Sequence, residues 1–285
     1  MRFSLFPLLL AGLLSSAQGQ FVSISDDFSN NGSLGGSTPD SGVGNWESND
    51  SDPAISVTGG EALVAAGSGE MVQLNFYDGS GDLSSGTYYY GFSFRVDDSG
   101  SISTNNTVQA VTGFRQGTVG SGTYALSFGI FRPSTATQNN SGVPNTSTSQ
   151  FAVGFFDGAS LNGSTNSLTS WGSALDRGTN YRAVISFDLE NNGAELWIDP
   201  TSSSSSSITL TGITSDTRGI FLRQASGSHG DVYFDDVLVA QSFEGALSAV
   251  PEPSTYAAIA GAAMLGFAVY RRRRQQRNSV AAAAA

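Results

Sequence analysis

The chain has 285 residues, a formal net charge of −11, no cysteine and one histidine. These counts exclude a disulfide scaffold, a thiolate zinc site, a cysteine nucleophile and a multi-histidine metal site. The acidic balance argues against nucleic-acid binding, which requires a basic face. Hydrophobic residues make up 39% of the chain and aromatic residues 11%, which is enough for a folded core.

Residues 1–19 predict a secretory signal peptide. Arg2 supplies a positive charge ahead of an apolar segment, residues 3–14, that is too short to cross a bilayer. The sequence Ala17-Gln18-Gly19 matches a small-x-small cleavage site. We therefore expect a mature chain that begins near Gln20.

Residues 20–248 predict a single all-β domain. Apolar residues alternate with small or polar ones along 88–97, 124–130 and 151–155, and this period of two indicates strands with one buried face. No part of this body has a sustained 3.6-residue period, so no helix is predicted within it. The body has 7 arginines and 23 acidic residues, a net charge of −16, and such a surface does not attract anionic lipid or nucleic acid.

The clearest local motif is a predicted β-hairpin over residues 181–200. Asn192-Gly193 is typical of a two-residue type I′ turn, in which both central residues need positive φ. This turn places four apolar residues on one buried face by pairing Leu189 with Leu196 and Phe187 with Ile198.

The opposite face of the hairpin carries a candidate glycan contact made of Asp188, Glu195, Trp197 and Asp199. An exposed indole ring can stack on the apolar face of a pyranose, while carboxylates accept hydrogen bonds from the sugar hydroxyls. Trp46 is a second aromatic residue that could serve in this way. In the alternative interpretation, Trp197 is covered by a loop or by a second sheet.

Three segments resemble the concanavalin A-like (laminin-G type) jelly roll: DDFS…GNW at 26–46, LWIDP at 196–200 and VYFDDVLVA at 232–240. The resemblance implies an antiparallel β-sandwich in which the first and last strands lie side by side. An immunoglobulin-like sandwich is the alternative, although the body is long for such a domain.

Laminarinase-type glycosidases share the jelly-roll fold and carry catalytic carboxylates in an E-x-D-x(-x)-E string on one strand. The sequence contains no such string. We therefore expect no catalytic residues and no enzymatic activity, with a degenerate glycoside hydrolase as an alternative.

Two pairs of aspartates, Asp26-Asp27 and Asp235-Asp236, stand at the two ends of the body. Neighbouring strand residues point to opposite faces, so one of Asp235 and Asp236 is expected to face inward. A buried carboxylate needs hydrogen bonds or a cation. All four are candidate ligands of a structural calcium, which takes oxygen ligands and which jelly rolls of the carbohydrate-binding type often hold. Capping of loop N–H groups is the alternative.

The C-terminal segment has three parts in order. Pro251-Glu252-Pro253 precedes an uncharged apolar stretch, residues 255–270, and a cluster made of Arg271, Arg272, Arg273 and Arg274. The apolar stretch predicts a single transmembrane helix, and the arginines predict that residues 276–285 form a cytoplasmic tail.

These three parts, residues 250–275, resemble the PEP-CTERM sorting signal of Gram-negative bacteria. The resemblance implies that an exosortase, a membrane transpeptidase, recognises Pro251, Glu252 and Pro253 and processes the chain. It also implies a setting of exopolysaccharide or biofilm production.

Three functions follow as hypotheses. The first is a non-catalytic exported protein. The export machinery secretes it, its C-terminal helix anchors it in the membrane, and it then reaches the cell surface or the extracellular matrix. The second is a glycan-binding, lectin-like module that binds a polysaccharide. The third is the degenerate glycoside hydrolase.

Overall fold

The computed structural model describes most of the body and little of either end. The described residues are 20–49, 55–67, 69–79, 81–99, 102, 104–105, 107–120, 122–133, 146–158, 160–162, 168–224 and 230–248, with 264, 267, 270 and 271. The predicted signal peptide, Pro251-Glu252-Pro253 and Arg272–Arg274 lie outside the described residues.

The described part of the body is an all-β sandwich, as predicted. Its strands are β1 (Ile24–Asp26), β2 (Gly32–Ser33), β3 (Val43–Ser48), β4 (Ser56–Thr58), β5 (Glu61–Val64), β6 (Met71–Asn75), β7 (Thr87–Val96), β8 (Thr104–Asn105), β9 (Thr107–Gln116), β10 (Thr123–Pro133), β11 (Gln150–Phe156), β12 (Ser160–Asn162), β13 (Thr169–Ser170), β14 (Leu175–Asp176), β15 (Tyr181–Asp188), β16 (Gly193–Ile198), β17 (Ile208–Thr211), β18 (Gly219–Arg223) and β19 (Val232–Ala240).

The strands form two sheets, which we call sheet I and sheet II. Sheet I has nine strands in the order β17-β16-β15-β7-β19-β5-β4-β2, with β1 beside β19. Sheet II has ten strands in the order β13-β11-β10-β9-β18-β6-β3, with β12 beside β9, β14 beside β11 and β8 beside β10. The pairings between described strands are antiparallel except for β8 beside β10.

The main hydrophobic core lies between the two sheets. The predicted alternation in β7 is confirmed, because its buried side chains belong to this core: Tyr88, Tyr90, Phe92, Phe94 and Val96. Phe128 of sheet II meets the rings of Phe92 and Phe94 at centroid distances of 5.3 and 5.4 Å. Such aromatic pairs stabilise a core by about 0.5–1.5 kcal/mol beyond the burial of their area.

The predicted pairing of the first and last strands is also confirmed. β1 runs antiparallel to β19, with Ile24 opposite Val239 and Asp26 opposite Val237. Ile24, Val237 and Val239 all lie in the main core, so burial of these apolar side chains holds the two ends of the body together.

The outer faces of both sheets are partly covered as well, which the period-two pattern did not predict. On sheet II, buried side chains that include Phe131, Phe156 and Phe221 form a second apolar cluster. On sheet I, a short helix, α1 (Phe243–Leu247), covers Trp197.

The expectation of a body without helix is therefore wrong at α1. A helix of five residues is too short to show a 3.6-residue period. Its local signal is the N-cap Ser242, whose hydroxyl accepts a hydrogen bond from the backbone N–H of Gly245 at 3.2 Å.

The predicted hairpin exists, but its register differs. Asp188 pairs with Gly193 and Phe187 with Ala194, so the loop consists of residues 189–192 instead of two residues. The carboxylate of Asp188 accepts the N–H groups of Glu190 and Asn191 at 3.1 and 3.0 Å, which starts the turn earlier than predicted.

The buried face of the hairpin is predicted correctly despite this shift. Leu189, Leu196, Phe187 and Ile198 all belong to the main core. The pairing is displaced by an even number of residues, and such a displacement leaves each side chain on its original face.

Of the predicted transmembrane helix, the structure describes Met264, Phe267 and Tyr270, which are helical and exposed, followed by the helical Arg271. Within the described part of the chain, no helix combines the length and the apolar character needed to cross a membrane.

Candidate binding pocket

Strand β19 contains a β-bulge at Asp235 and Asp236, whose carboxylates lie on the outer face of sheet I. Asp235 pairs with Ser93 and Leu238 with Gly91, so β19 has one residue more than β7 between these two pairs. The extra residue, Asp236, has a φ of 49°, a conformation that is uncommon for residues other than glycine. Bulges of this kind redirect side chains and are frequent beside functional sites.

The bulge places Asp235 and Asp236 on the same side of the sheet. Both line one pocket on the outer face of sheet I. The prediction that one of them faces the core is wrong, because it assumed regular alternation and the extra residue interrupts that alternation.

This pocket has a volume of about 320 Å³, within the range of small-molecule sites. Its lining consists of Glu61, Ser93, Phe94, Asn180, Tyr181, Arg182, Asp199, Tyr233, Asp235 and Asp236. β5, β7, β15 and β19 supply most of these side chains, so the site rests on neighbouring strands of one sheet.

Arg182 organises the floor of the pocket. Its Nη1 donates to the backbone oxygen of Asp236 at 2.7 Å, and its Nη2 donates to the backbone oxygen of Ala246 in α1 at 2.6 Å. The backbone N–H of Arg182 donates to Oδ1 of Asp199 at 2.7 Å. The same residue thus contacts the bulge, the helix and the end of β16.

Negative charge dominates the pocket. Burial, followed by the charge of Asp236, raises the pKa of Asp235 to about 7. Burial lowers the pKa of the Arg182 guanidinium to about 10, although Asp236 opposes this change. Glu61 forms an ion pair with Arg95 at 2.7 Å, and the Arg95 guanidinium lies 4.2 Å from the ring centroid of Tyr233.

The predicted glycan contact is not one open surface. Trp197 pairs with Val184 and is only 3% exposed, because Phe243 of α1 covers it with a ring centroid 5.0 Å away. Asp188 stands four residues from Val184, about 13 Å along the strand. The prediction of an exposed Trp197 beside Asp188 is therefore wrong, and the alternative of a covered ring is confirmed.

The other predicted glycan residues have separate positions. Asp199 lines the pocket together with Asp235 and Asp236. Glu195 is half-buried and accepts a hydrogen bond from the Ser207 hydroxyl at 3.5 Å. Trp46 is fully buried, so it offers no stacking surface.

The predicted calcium residues divide into two groups. Asp26 is buried, and its carboxylate accepts the backbone N–H of Phe28 at 2.9 Å and Nε1–H of Trp46 at 2.7 Å. Burial raises the pKa of Asp26 to about 6. Asp27 accepts the N–H of Ser29 at 2.9 Å, so both carboxylates accept loop N–H groups, as the capping alternative requires.

Asp26 and Asp27 lie beside Asp40, which the sequence analysis did not identify. Carboxylate oxygens of these three residues all lie within 4.8 Å of one another. This spacing fits a calcium ion, which takes six to eight oxygen ligands at about 2.3–2.6 Å. Asp235 and Asp236 are not part of this cluster, so calcium binding by all four predicted aspartates at one site is not supported.

Several pocket residues could not be identified from sequence. Glu61, Asn180 and Tyr233 are far apart in the chain, and only the pairing of β5, β15 and β19 with their neighbours brings them together. A possible local signal was the Asp-Asp pair inside an apolar strand, which violates alternation at the position of the bulge.

Comparison with known families identifies the C-terminal segment. Residues 249–274 match the family described as the PEP-CTERM protein-sorting motif, which confirms the resemblance inferred from Pro251, Glu252, Pro253 and the arginine cluster. No curated protein matches the chain in sequence.

Solved structures match the body at low identity. The Ca²⁺-bound VIP36 exoplasmic/lumenal domain shares 12% identity, with a TM-score of 0.46, over 80% of this chain and 96% of its own. Lectin II from Ulex europaeus shares 12% identity, with a TM-score of 0.34, over 66% of this chain and 89% of its own.

The Botulinum neurotoxin serotype D binding domain shares 10% identity, with a TM-score of 0.41, over 78% of this chain. The chain spans 47% of that structure, about half its length. Since these TM-scores are all below 0.5, the class of the body, an antiparallel β-sandwich, is assigned from its own strand pairing.

Proposed function

We propose that the chain is an exported, non-catalytic β-sandwich protein, which its PEP-CTERM segment directs to the cell surface or extracellular matrix. The match over residues 249–274 carries this proposal. The export machinery secretes the chain, the segment around 255–270 anchors it, and an exosortase-type enzyme processes it near Pro251-Glu252-Pro253. A body with a net charge of −16 is repelled by the anionic membrane surface and is suited to release from it.

Replacement of Pro251, Glu252 and Pro253 by alanine tests this proposal. We expect export to continue and the C-terminal segment to remain attached, because the processing enzyme no longer recognises its motif. Intact-mass spectrometry of the exported protein measures the outcome. Ser254→Ala, next to the motif, is the control and should be processed normally. A wild-type product that retains every residue through Ala285 would contradict the proposal.

A second candidate function is glycan binding at the outer-face pocket, and the pocket itself favours it. Carboxylates of Asp199, Asp235 and Asp236 accept hydrogen bonds, whereas the Asn180 amide and the Tyr233 hydroxyl can donate them. A mixed set of donors and acceptors in a pocket of about 320 Å³ suits the hydroxyls of a sugar. In this role the exported body binds the polysaccharide of the matrix.

A glycan array tests this second function. We expect the chain to bind at least one oligosaccharide, and Tyr233→Ala to abolish that binding. Tyr77→Ala is the control, because Tyr77 lies outside the pocket. Equal binding by wild type and Tyr233→Ala would exclude this pocket as the glycan site.

A further inference from the structure

We propose that the outer-face pocket selects a saccharide that carries a positively charged amino group, such as a glucosamine residue, over neutral and N-acetylated saccharides. The inference rests on the proposed glycan-binding function and names the ligand class of the same site. Its support comes from the charges of the pocket, from the hydrogen bonds that the carboxylates already make, and from the size and uncharged donors of the pocket.

The first argument is the imbalance of charge. Four carboxylates line the pocket, and Arg182 is the cation among the lining residues. Arg182 directs both terminal nitrogens to backbone oxygens, those of Asp236 and Ala246. Arg95 neutralises Glu61. The charges of Asp199, Asp235 and Asp236 therefore exceed the cations available to them.

The second argument is the availability of carboxylate oxygens. Oδ1 of Asp235 accepts the N–H of Asp236 at 2.7 Å, and Oδ2 of Asp236 accepts the Ser93 hydroxyl at 3.3 Å. Among the described contacts, Oδ2 of Asp235 accepts no hydrogen bond. An ammonium group has three N–H donors and no acceptor, so it matches a set of oxygens of this kind.

The third argument comes from the carboxylates around Asp235. Burial is the main cause that raises the pKa of Asp235, and the negative charge of Asp236 adds to it, with smaller contributions from Glu61 and Asp27. A ligand ammonium at this point would be attracted by the same carboxylates. An N-acetyl group carries no charge and adds a carbonyl acceptor, which the carboxylates repel.

The size of the pocket and its uncharged donors favour a sugar over a simple amine. A volume of about 320 Å³ exceeds the space that an ammonium group requires. Asn180 and Tyr233 line the same volume and can hydrogen-bond to ring hydroxyls. The amino group and the hydroxyls of an amino sugar would thus be recognised by different residues.

Isothermal titration of the full chain with three oligosaccharides of equal length tests the inference. The probes are a glucosamine oligosaccharide, its N-acetylated counterpart and a neutral glucose oligosaccharide. We expect the glucosamine probe to bind at least about tenfold more tightly than the other two, since a charge-assisted hydrogen bond to a carboxylate contributes this much. Asp235→Asn should remove the preference.

Asp157→Asn is the matched control, because Asp157 is an exposed aspartate after β11 in sheet II and lies outside the pocket. Asp157→Asn removes the same charge as Asp235→Asn and should keep the preference for the glucosamine probe. This result would show that the preference depends on the pocket and not on the general attraction between a polycation and an acidic protein. Equal affinity for all three probes, or an unchanged preference in Asp235→Asn, would overturn the amino-sugar inference without contradicting glycan binding.

If none of the three probes binds, both the amino-sugar preference and glycan binding at this pocket are excluded for this class of polymer.

Discussion

Asp26 and Asp235 hold their protons more tightly in the folded chain than in the unfolded chain. Burial is the main cause in both cases, and it raises the two pKa values to about 6 and about 7. A raised carboxyl pKa stabilises the fold fully below the unfolded pKa, and that stability is lost as pH rises through the folded pKa. The unfolded value is 3.8, so the loss falls between about pH 4 and about pH 7.

We therefore expect the free energy of unfolding to fall over this range, as measured by urea denaturation at a series of pH values. Asp235→Asn should flatten the upper part of the profile and raise stability at about pH 8 by about 1 kcal/mol, because Asp235 is half-exposed and solvent screens its charge. Asp157→Asn is the control. A wild-type profile that rises from about pH 4 to about pH 7 would contradict the assignment.

Leu196 and Trp197 are neighbours that are buried in different places. Leu196 belongs to the core between the sheets, whereas Trp197 is covered by α1 on the outer face. We expect Leu196→Ala to destabilise the chain by about 2–5 kcal/mol and Trp197→Ala by about 3–5 kcal/mol. Only Trp197→Ala should increase hydrogen exchange in residues 243–247, since it removes the surface on which α1 packs. Thr209→Ala is the control, because Thr209 is exposed. If Trp197→Ala is as stable as Thr209→Ala, the Trp197 ring is not buried.

At the scale of single elements, α1 depends on a glycine in the sheet beneath it. A Cβ placed at Gly91 would collide with the backbone oxygen of Ala246 and would also meet Nη2 of Arg182. We expect Gly91→Ala to displace α1 while the two sheets remain paired. Hydrogen exchange should then increase in residues 243–247 and stay unchanged in β18.

Gly193→Ala is the matched control in the same sheet, because its nearest atom would be the backbone oxygen of Leu210 at 3.8 Å. It should leave exchange in residues 243–247 unchanged. If Gly91→Ala leaves these residues equally protected, the close contact between α1 and β7 is refuted.

Elements with a strong local pattern were predictable from sequence, and their exceptions were not. Period-two alternation identifies β7, and the apolar match of the predicted hairpin identifies β15, because each strand presents one face to the core. The hairpin register could not be predicted, since Asp188 captures two N–H groups and competes with the Asn-Gly turn. The position of α1 depends on Trp197 and Gly91, which are distant in sequence.

The candidate pocket was predictable only in part, because contacts between residues that are distant in sequence form it. Asp199, Asp235 and Asp236 were singled out as acidic residues, but they were assigned to two separate sites. Strand order joins them, and strand order is set by burial over the whole core. The bulge could not be anticipated from alternation, because a bulge is a failure of alternation.

At the scale of the whole molecule, the two ends of the body meet in one region, through the pairing of β1 with β19. The acidic cluster of Asp26, Asp27 and Asp40 lies at this junction, and calcium binding there remains a prediction. A calcium concentration of a hundred times the Kd would increase the free energy of unfolding by about 2.7 kcal/mol. For a body of this size, that raises Tm by about 5–10 °C.

Thermal unfolding in calcium and in EDTA measures this effect. We expect Asp40→Ala to remove the difference, because it deletes an exposed oxygen ligand without disturbing the core. Asp157→Ala should retain it. Identical melting temperatures in calcium and EDTA for the wild type would leave hydrogen-bond capping as the complete account of these aspartates.

The bulge in β19 implies that the fold would be more regular without Asp236. If that residue were deleted, Asp235 and Val237 would become neighbours, and the ladder with β7 would have equal numbers of residues on both sides. Phe234 and Val237 would still face inward, and the residue with a φ of 49° would be gone. The sheet therefore does not require this position, whereas the pocket loses a carboxylate and the backbone oxygen that holds Arg182. One residue inserted into an ordinary strand thus gives the pocket an additional carboxylate and fixes the position of the Arg182 guanidinium.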